Sequence, residues 1–391
     1  MPRAWRIPAL LLVVSVAWPA LGTASVSAAE PTRAIVWERT AAKRKAAIWI
    51  AAADGTGARR LAGGELPDIS PDGRWVAYVV TGRDKSKLFV IPSSGGARRL
   101  VHTIEEDPEF DGEFSFDWSS DSARLAFGAD STESPLLATY DVMAGRRGPA
   151  VDFVRPRDVE FVPGSNQVAA IAQHQGFNHQ LLLMTSDDGS VRTLTEITDD
   201  LAGILVASAG AVAFHTFSLI DVLRNPFVVL GSSGFKLNAT DIASGRTRTL
   251  GQAVRALDWR PDGRTLDVVR ATCTPSRCDA GAGTLDADTG AVVQAIPTGW
   301  TSFNRHKVRR KGRRPARVEY VLKADALEVL AFAADGRSLL GGQVRGEWRG
   351  RDFDEITSRS ASVRNPLILR VPLDGGKPMP VARGTTADWN L

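Results

Sequence analysis

Apolar and polar positions alternate along most of the chain in short runs, and turn-forming residues separate these runs. Trp75, Ala77 and Val79 occupy every second position of one run, and Leu125 and Phe127 do so in another. Alternation with a period of two residues is typical of β-strands with one buried face. No stretch has a convincing amphipathic helical period. The pattern therefore predicts an all-β protein made of many short strands.

The runs form a repeated unit of four strands. In its clearest copy a strand ends at Asp68, and the turn sequence Ser-Pro-Asp-Gly follows at residues 70–73. Two further strands, a turn at Gly95-Gly96 and a fourth strand complete the unit. Proline presets φ, aspartate caps the backbone and glycine tolerates positive φ, so this composition predicts a type I turn. Degraded copies recur to the end of the chain, as in a repeat architecture.

The two ends of the chain supply complementary parts of one repeat. The chain ends with the strand-end sequence Asp388-Trp389 and no turn after it, whereas Ala34 begins a second-strand pattern with no first strand before it. We therefore expect residues 385–391 to pair with residues 34–39 and to remove an exposed sheet edge. The sequence thus predicts a seven-bladed β-propeller closed by the C-terminal strand. Aromatic residues at equivalent strand ends are expected to pack between blades: Trp118, Phe161, Trp259, Phe332 and Trp389.

Residues 68–100 resemble the propeller repeats of the TolB type, which are also called WD-like repeats, and weaker copies cover nearly all of residues 34–391. The resemblance implies the propeller fold. The separate N-terminal α/β domain of the TolB protein itself is not expected here, because the repeats begin almost directly after an N-terminal leader. Members of this family include binding scaffolds, the non-catalytic halves of oligopeptidases and a group of polysaccharide lyases, so the fold alone does not choose a function.

The N-terminus has the pattern of a bacterial export signal. Arg3 and Arg6 precede an apolar run at residues 7–21, and small residues surround a cleavage site after Ala28 or Ala29. A spanning helix needs roughly 20 apolar residues, which this run does not supply. We therefore predict a signal peptide at residues 1–29 and a single propeller domain at 30–391. The mature chain is expected to be an exported monomer (periplasmic, cell-wall-associated or secreted) without a transmembrane segment.

Catalytic motifs are weak in this sequence. The nearest approach to a hydrolase elbow, residues 231–235, lacks the final glycine, and no residues remain for a hydrolase domain. His174 and His179 lie in one predicted loop, where they are either solvated or ligands of a metal-assisted lyase. We expect no catalytic residue, no metal and no cofactor. The alternative is a polysaccharide-active enzyme of the type of the oligogalacturonate lyase-like propellers.

The only two cysteines, Cys273 and Cys278, lie close together in a predicted loop between a second and a third strand. In an exported protein such a pair favours a disulfide bond. A redox role is the alternative, although four residues separate the cysteines rather than the two of a typical redox motif.

Long segments concentrate on one predicted face of the propeller. The loops between second and third strands and the loops between blades form this face. The long segments comprise residues 218–234, 273–278, 300–324 and 344–365, of which the last two are predicted insertions. Insertions on one face of a repeat array commonly build its binding surface. Residues 305–317 contain eight Lys or Arg and no acid. The chain's net charge is +4, and it becomes −6 without these eight residues and the two arginines of the leader.

Outside the cell such a basic segment favours an anionic partner. We predict binding to an envelope protein or to an anionic polymer of the cell wall, and no binding to nucleic acid, because no stacking motif accompanies the cations. A solvated charge run is the alternative. The predicted binding residues are Arg305, Lys307, Arg309, Arg310, Lys311, Arg313, Arg314, Arg317, Arg345, Trp348, Arg349 and Arg351.

Overall fold

The computed structural model describes fourteen segments of the compact unit Pro31–Leu391. These are residues 34–40, 46–105, 113–131, 134–152, 154–173, 178–198, 201–217, 236–252, 254–274, 277–308, 317–333, 337–350, 367–374 and 376–390. The predicted signal peptide lies outside them. All regular elements in these segments are β-strands, as predicted, and they contain no helix long and apolar enough to cross a membrane.

Five sheets have four antiparallel strands each. Sheet I consists of β1 (Ala34–Thr40), β2 (Ala46–Ala52), β3 (Arg59–Gly63) and β28 (Thr385–Asn390). Sheet II has β4 (Glu65–Ile69), β5 (Trp75–Thr81), β6 (Lys85–Pro92) and β7 (Arg99–Glu105). Sheet III has β8 (Glu113–Trp118), β9 (Arg124–Asp130), β10 (Leu136–Asp141) and β11 (Arg146–Asp152). Sheet IV has β12 (Arg155–Phe161), β13 (Gln167–Gln173), β14 (His179–Thr185) and β15 (Val191–Ile197). Sheet V has β16 (Leu201–Ala207), β17 (Ala211–Phe217), β18 (Lys236–Asp241) and β19 (Thr247–Gln252).

Sheet VI has eight strands in sequence order. They are β20 (Val254–Trp259), β21 (Thr265–Thr274), β22 (Arg277–Asp286), β23 (Val292–Val308), β24 (Arg317–Phe332), β25 (Ser338–Gly350), β26 (Leu367–Pro372) and β27 (Met379–Arg383). Its two halves join where Gly299 to Val308 of β23 pair with Ala326 to Arg317 of β24. The predicted insertion 300–324 therefore consists largely of strands, which differs from the loop expected from the sequence.

Hydrogen bonds in the turns explain why Asp and Gly recur there. In the turn at residues 70–73 the Gly73 amide donates to the Ser70 carbonyl at 2.8 Å, and the Arg74 amide donates to Asp72 Oδ1 at 3.0 Å. Gly73 has a φ of 71°, a conformation that a residue with a Cβ rarely adopts. The predicted roles of Asp as a cap of the backbone and of Gly as the residue with positive φ are confirmed at residues 70–73.

The first strand of each repeat packs next to the first strands of other repeats. We call β28, β4, β8, β12, β16, β20 and the second half of β24 the inner strands. β28 pairs with β1, Asn390 lying opposite Ala34, and it also contacts β4 and β24. Trp118 Nε1 on β8 donates to the Asp68 carbonyl on β4 at 3.4 Å, and Trp259 Nε1 on β20 donates to a carbonyl on β16 at 3.1 Å.

These contacts bear out the predicted packing of strand-end aromatics between sheets. Phe161 of sheet IV packs in one cluster with Ala126 and Leu137 of sheet III, and Phe332 packs against a cluster that contains Ala282 of the other half of sheet VI. The side chain of Trp389 lies outside the described part.

Arginines make a second set of contacts, between the last strand of one sheet and the last turn of the next. Arg59 of β3 donates to the Ser93 carbonyl, and Arg99 of β7 donates to the Val142 carbonyl. Arg192 of β15 repeats this contact with a carbonyl of sheet V at 2.7 Å. Such charge-assisted hydrogen bonds are stronger than neutral ones. They explain why an Arg recurs near the start of the fourth strand.

Candidate functional site

Six carboxylates on the inner strands lie within electrostatic range of other members of the set. We call this set the carboxylate cluster; its members are Asp68 on β4, Asp117 on β8, Asp158 and Glu160 on β12, Asp258 on β20 and Asp388 on β28. From the sequence alone, these acids are only part of the repeat signature. Their convergence depends on the packing of the inner strands.

The position of each acid follows from the alternation of side chains along a strand. Five of the six acids directly precede the apolar residue of the strand end, as in Asp117-Trp118. Successive side chains point to opposite faces of a sheet. Trp118 therefore contacts the preceding sheet, whereas Asp117 Oδ2 accepts the amide of Phe161 in the following sheet at 2.6 Å. The Asp-aromatic pair thus bonds one sheet to both of its neighbours.

The same bond recurs at two further inner strands. Asp388 Oδ2 accepts the Ile69 amide at 3.1 Å, and Asp158 Oδ2 accepts the Leu205 amide at 2.7 Å. Between sheets V and VI the acceptor is a histidine of a second strand: the Ala256 amide of β20 donates to Nε2 of His215 on β17 at 3.1 Å. Buried amides need such acceptors. A structural role for the cluster therefore accompanies any role in binding.

Burial raises the pKa values of five members of the cluster, which are Asp68, Asp117, Asp158, Glu160 and Asp258. Burial and the neighbouring carboxylates Asp388 and Asp117 raise the pKa of Asp68 well above its usual range. Burial and four carboxylates do the same to the pKa of Glu160. Burial raises the pKa of Asp117 to about 7 and that of Asp258 to about 6. In each case the cost of taking the carboxylate out of water exceeds the gain from the backbone amides and other groups that lower the pKa.

The cluster can therefore exchange protons near neutral pH. Water reaches these side chains in part, and no cation is among the charged groups that shift the pKa values of Asp68, Asp117 and Glu160. In the described segments no three His, Cys, Asp or Glu side chains are close enough to hold a metal ion.

A three-stranded projection carries part of the predicted basic site. We call it the arm; it comprises residues 299–308 of β23, 317–326 of β24 and 343–350 of β25. Of the predicted binding residues, the arm contains Arg305, Lys307, Arg317, Arg345, Trp348 and Arg349. Arg309, Arg310, Lys311, Arg313, Arg314 and Arg351 lie outside the described residues.

The strand register brings the two predicted basic segments to opposite sides of β24. Arg305 of β23 and Gly350 of β25 both pair with Tyr320, and Arg349 pairs with the next residue, Val321. Neighbouring strands are about 4.8 Å apart. Backbone positions of the two segments are therefore two strand spacings apart, as a common binding surface requires.

Ion pairs neutralise charge at the base of the arm. Arg345 lies 3.7 Å from Asp325, and Lys323 lies 3.0 Å from Glu347. Exposed pairs of this kind add little stability, but they remove net charge. Arg345 is thus part of a balanced pair, and the surplus of positive charge belongs to residues further along the arm.

A cleft of about 210 Å³ lies where β23 and β24 separate at the base of the arm. Its walls are polar and apolar in about equal parts, and Pro297, Leu327 and Val371 belong to the apolar part. Asp325 and Gln343 provide polar groups. A cleft of this size is smaller than a typical small-molecule pocket.

The cysteines and histidines differ from the predicted loop positions. Cys273 on β21 and Cys278 on β22 are directly opposite each other in paired strands, and Cys278 is buried. His179 begins β14 and is 3% exposed, so it is not a solvated loop residue. Burial and the nearby Arg157 lower the pKa of His179, which keeps the ring neutral. His174 lies outside the described residues.

Comparisons with known proteins concern the fold. No family model and no curated protein matches the sequence. The structure of TolB from Acinetobacter baumannii is similar with 18% identity over 67% of this chain and 63% of that chain, at a TM-score of 0.43. The β-propeller domain of the Trilobed protease from Pyrococcus furiosus has 11% identity over 89% of this chain and 93% of that chain, at a TM-score of 0.49.

An oligogalacturonate lyase in complex with manganese is also similar, with 12% identity over 81% of this chain and 75% of that chain, at a TM-score of 0.48. The expected resemblance to TolB-type propellers is thus confirmed as a likeness of fold. The prediction that the chain is not an enzyme is wrong as a conclusion from this fold, because similar structures include this lyase and the acylaminoacyl peptidase of Pyrococcus horikoshii.

Proposed function

We propose that the chain is an exported binding module whose arm attaches it to an anionic partner of the cell envelope. The observation that carries this proposal is the pairing of β23, β24 and β25, which brings Arg305, Lys307 and Arg317 onto one projection with residues 345–349. Strands hold such residues more rigidly than an isolated charged loop does.

We further propose that the four-stranded units form a closed ring of seven blades. The pairing of β28 with β1 supports this, as do the contacts of β28 with both β4 and β24. Sheet VI then supplies two blades, which remain joined through the arm. A closed ring leaves no open sheet edge and gives the arm a rigid base.

The charge of the arm favours an anionic polymer or an acidic protein surface. Residues 305–317 contain eight Lys or Arg and no Asp or Glu. At the base of the arm, by contrast, each cation of the two ion pairs is neutralised by its own acidic partner. Exposed single charges are screened within about 8 Å at physiological salt. A series of cations along one projection therefore binds repeated anions much better than isolated ones.

Binding to polygalacturonate, an anionic polysaccharide, is expected to fall about tenfold or more when salt is raised from low to physiological strength. Changing Arg305, Lys307, Arg317 and Arg349, four cations of the arm, to Ser should abolish most of this binding. Retention on immobilised polymer measures the effect, and the length of the polymer after incubation tests for cleavage. A pull-down from envelope extracts then compares polymer with protein partners.

A matched variant controls for total charge. Arg83, Arg146, Arg246 and Lys377 are exposed cations outside the arm, and changing these four to Ser should leave the retention nearly unchanged. Equal losses in the two variants would contradict a specific role of the arm, as would binding that does not respond to salt.

A disulfide between Cys273 and Cys278 belongs to the same proposal, because the strand pairing places them opposite each other and export supplies an oxidising environment. Thiol titration of the denatured, non-reduced protein is expected to find no free thiol. Changing both cysteines to Ala should cost about 2 kcal/mol in the free energy of unfolding. Two free thiols in correctly exported protein would refute the bond.

A further inference from the structure

One face of the sheet at the base of the arm carries two rows of side chains that cross four strands. Paired positions of neighbouring strands lie on the same face of a sheet. The first row consists of Asp279 on β22, Trp300 on β23, Asp325 on β24 and Arg345 on β25. The second row lies two residues away on each strand and consists of Arg277, Ser302, Lys323 and Glu347. We call these eight residues the platform.

The platform surrounds one aromatic ring with charged groups. Trp300 is partly exposed, and the guanidinium of Arg277 lies 4.9 Å from the centre of its ring. Two hydrogen bonds, from Arg277 Nε at 3.0 Å and from Nη2 at 2.7 Å, connect this guanidinium to Asp279 Oδ1. The platform contains three cations and three acids in all, so its net charge is zero. It therefore suits an uncharged ligand that has an apolar surface and several hydrogen-bonding groups.

The cleft at the base of the arm adjoins the platform. Asp325 belongs to both, and Gln343, which also lines the cleft, is two residues from Arg345 and so lies on the same face of β25. Thr298 lines the cleft as well and is only 8% exposed. Its hydroxyl has no hydrogen-bond partner among the described residues. Buried polar groups are normally paired, so the cleft lacks one polar partner.

We propose that the platform and the cleft together bind a neutral sugar that carries an acetamido group. The sugar ring contacts Trp300, and its acetamido group enters the cleft. There the methyl group contacts the apolar wall, the carbonyl oxygen accepts a hydrogen bond from Thr298, and the N–H donates to Asp325. The volume of the cleft, about 210 Å³, is small for a whole ligand but suits one substituent of a ring bound outside it.

This site goes beyond the proposed binding of anions by the arm. The anionic partner is attracted by the surplus cations of residues 305–317, whereas the charges of the platform balance. The two kinds of binding therefore differ in their dependence on salt. A neutral sugar is held by contact and hydrogen bonds, and screening of charges leaves its affinity nearly unchanged.

Calorimetric titration of the mature protein with chitotetraose, a neutral tetramer of N-acetylglucosamine, tests the proposal. Chitotetraose is expected to bind, and its Kd at physiological salt should stay within about twofold of its value at low salt. Cellotetraose has the same sugar ring with a hydroxyl in place of the acetamido group. It should bind about tenfold more weakly or less, because it leaves the cleft and the hydroxyl of Thr298 unfilled.

Two variants examine the two parts of the site. Trp300→Ala should weaken the binding of chitotetraose about tenfold or more. Thr298→Val keeps the shape of the side chain and removes its hydroxyl, so binding should weaken about fivefold. Without ligand, Thr298→Val should leave the free energy of unfolding unchanged or raise it, because no hydrogen bond is lost. A purely structural role of Thr298 would not separate affinity from stability in this way.

A tryptophan of sheet I provides the matched control. Trp49 is also partly exposed, and the guanidinium of Arg39 lies 5.3 Å from the centre of its ring. Trp49 is not part of the cleft or the platform, so Trp49→Ala should bind chitotetraose as the original protein does. The variant with Arg305, Lys307, Arg317 and Arg349 changed to Ser should also keep this binding while it loses polygalacturonate, so the two proposals can fail separately.

The proposal is overturned if chitotetraose does not bind, or if the two tetramers bind equally well. It is also overturned if Trp300→Ala and Thr298→Val both bind as tightly as the original protein. Loss of stability in Thr298→Val without ligand would show that the hydroxyl already has a partner in the free protein, and would contradict the assignment of the acetamido group to the cleft.

Discussion

Deletion of residues 385–391 is expected to lower the free energy of unfolding by more than about 5 kcal/mol, or to prevent folding. The deletion removes β28 and with it the ladder to β1. It also uncovers Ile35 and Trp37, which are 0% and 3% exposed and pack in one cluster with Ala387. Each large apolar side chain returned to water costs about 1.5–3 kcal/mol, and the lost strand ladder adds to this. Chemical denaturation followed by circular dichroism measures the loss.

A rearranged chain provides the matched control. Residues 385–391 can be moved to the front of Ala34 through a short glycine-containing hairpin, because Asn390 lies opposite Ala34 in antiparallel register. This variant keeps the composition and restores the strand, so its stability should return to near that of the original chain. A truncated protein as stable as the full chain would contradict the proposed closure. A rearranged chain as unstable as the truncated one would show that connectivity, rather than strand pairing, is responsible.

The local features of the fold could be predicted because they depend on neighbouring residues. The turn at residues 70–73 uses a proline, an aspartate acceptor and a glycine with positive φ, all within four positions. The turns between the third and fourth strands behave in the same way. In three of them Asp141, Asp241 and Asp286 each accept an amide three residues later at 2.7–2.8 Å. Such signals survive sequence divergence because each one satisfies its own backbone.

The arm was predicted only as a long loop. Residues 305–317 are rich in Arg and Lys, a composition typical of a solvent-exposed loop. Val318, Tyr320 and Leu322 alternate with other residues in the way that a strand requires, and this alternation was the signal available. The sequence predicts that the two basic segments are neighbours because both belong to loops on the same face. In the structure they are neighbours because β23 and β25 both pair with β24.

The carboxylate cluster could not be predicted from spacing, because its members are far apart in the sequence. Asp68 and Asp388 are 320 residues apart, yet Asp388 Oδ2 accepts the amide of Ile69, the residue next to Asp68, at 3.1 Å. Within its own repeat, each acid is only one residue of a strand that ends in an apolar side chain. Only the packing of the inner strands turns a repeated Asp-aromatic pair into a group of interacting acids that water reaches in part. The cluster therefore follows from the repeat, but only after the repeats are assembled.

The Asp117→Asn variant is expected to be more stable than the original protein at pH 8, by on the order of 3 kcal/mol. Burial raises the pKa of Asp117 to about 7, with smaller contributions from Asp258 and Asp158, whereas its unfolded value is near 3.9. Between these pH values the folded state binds a proton that the unfolded state has lost, so the stability of the original protein falls as the pH rises. Asn is neutral at every pH, and its oxygen can still accept the Phe161 amide, which lies 2.6 Å from Asp117.

Asp121 supplies a matched control in the turn that follows Asp117. Its hydrogen bonds to Ser119 and the Ala123 amide lower its pKa, so its contribution to stability is present above the unfolded pKa and is lost as the pH falls. Asp121→Asn should therefore lower stability at pH 8 and lose this effect as the pH falls through the lowered pKa of Asp121, the opposite dependence to Asp117→Asn. Thermal denaturation of both variants across this pH range measures the difference. If Asp117→Asn were destabilising at pH 8, the carboxylate would be stabilised by its surroundings rather than strained by them, and the cluster could not act as a store of protons near neutral pH.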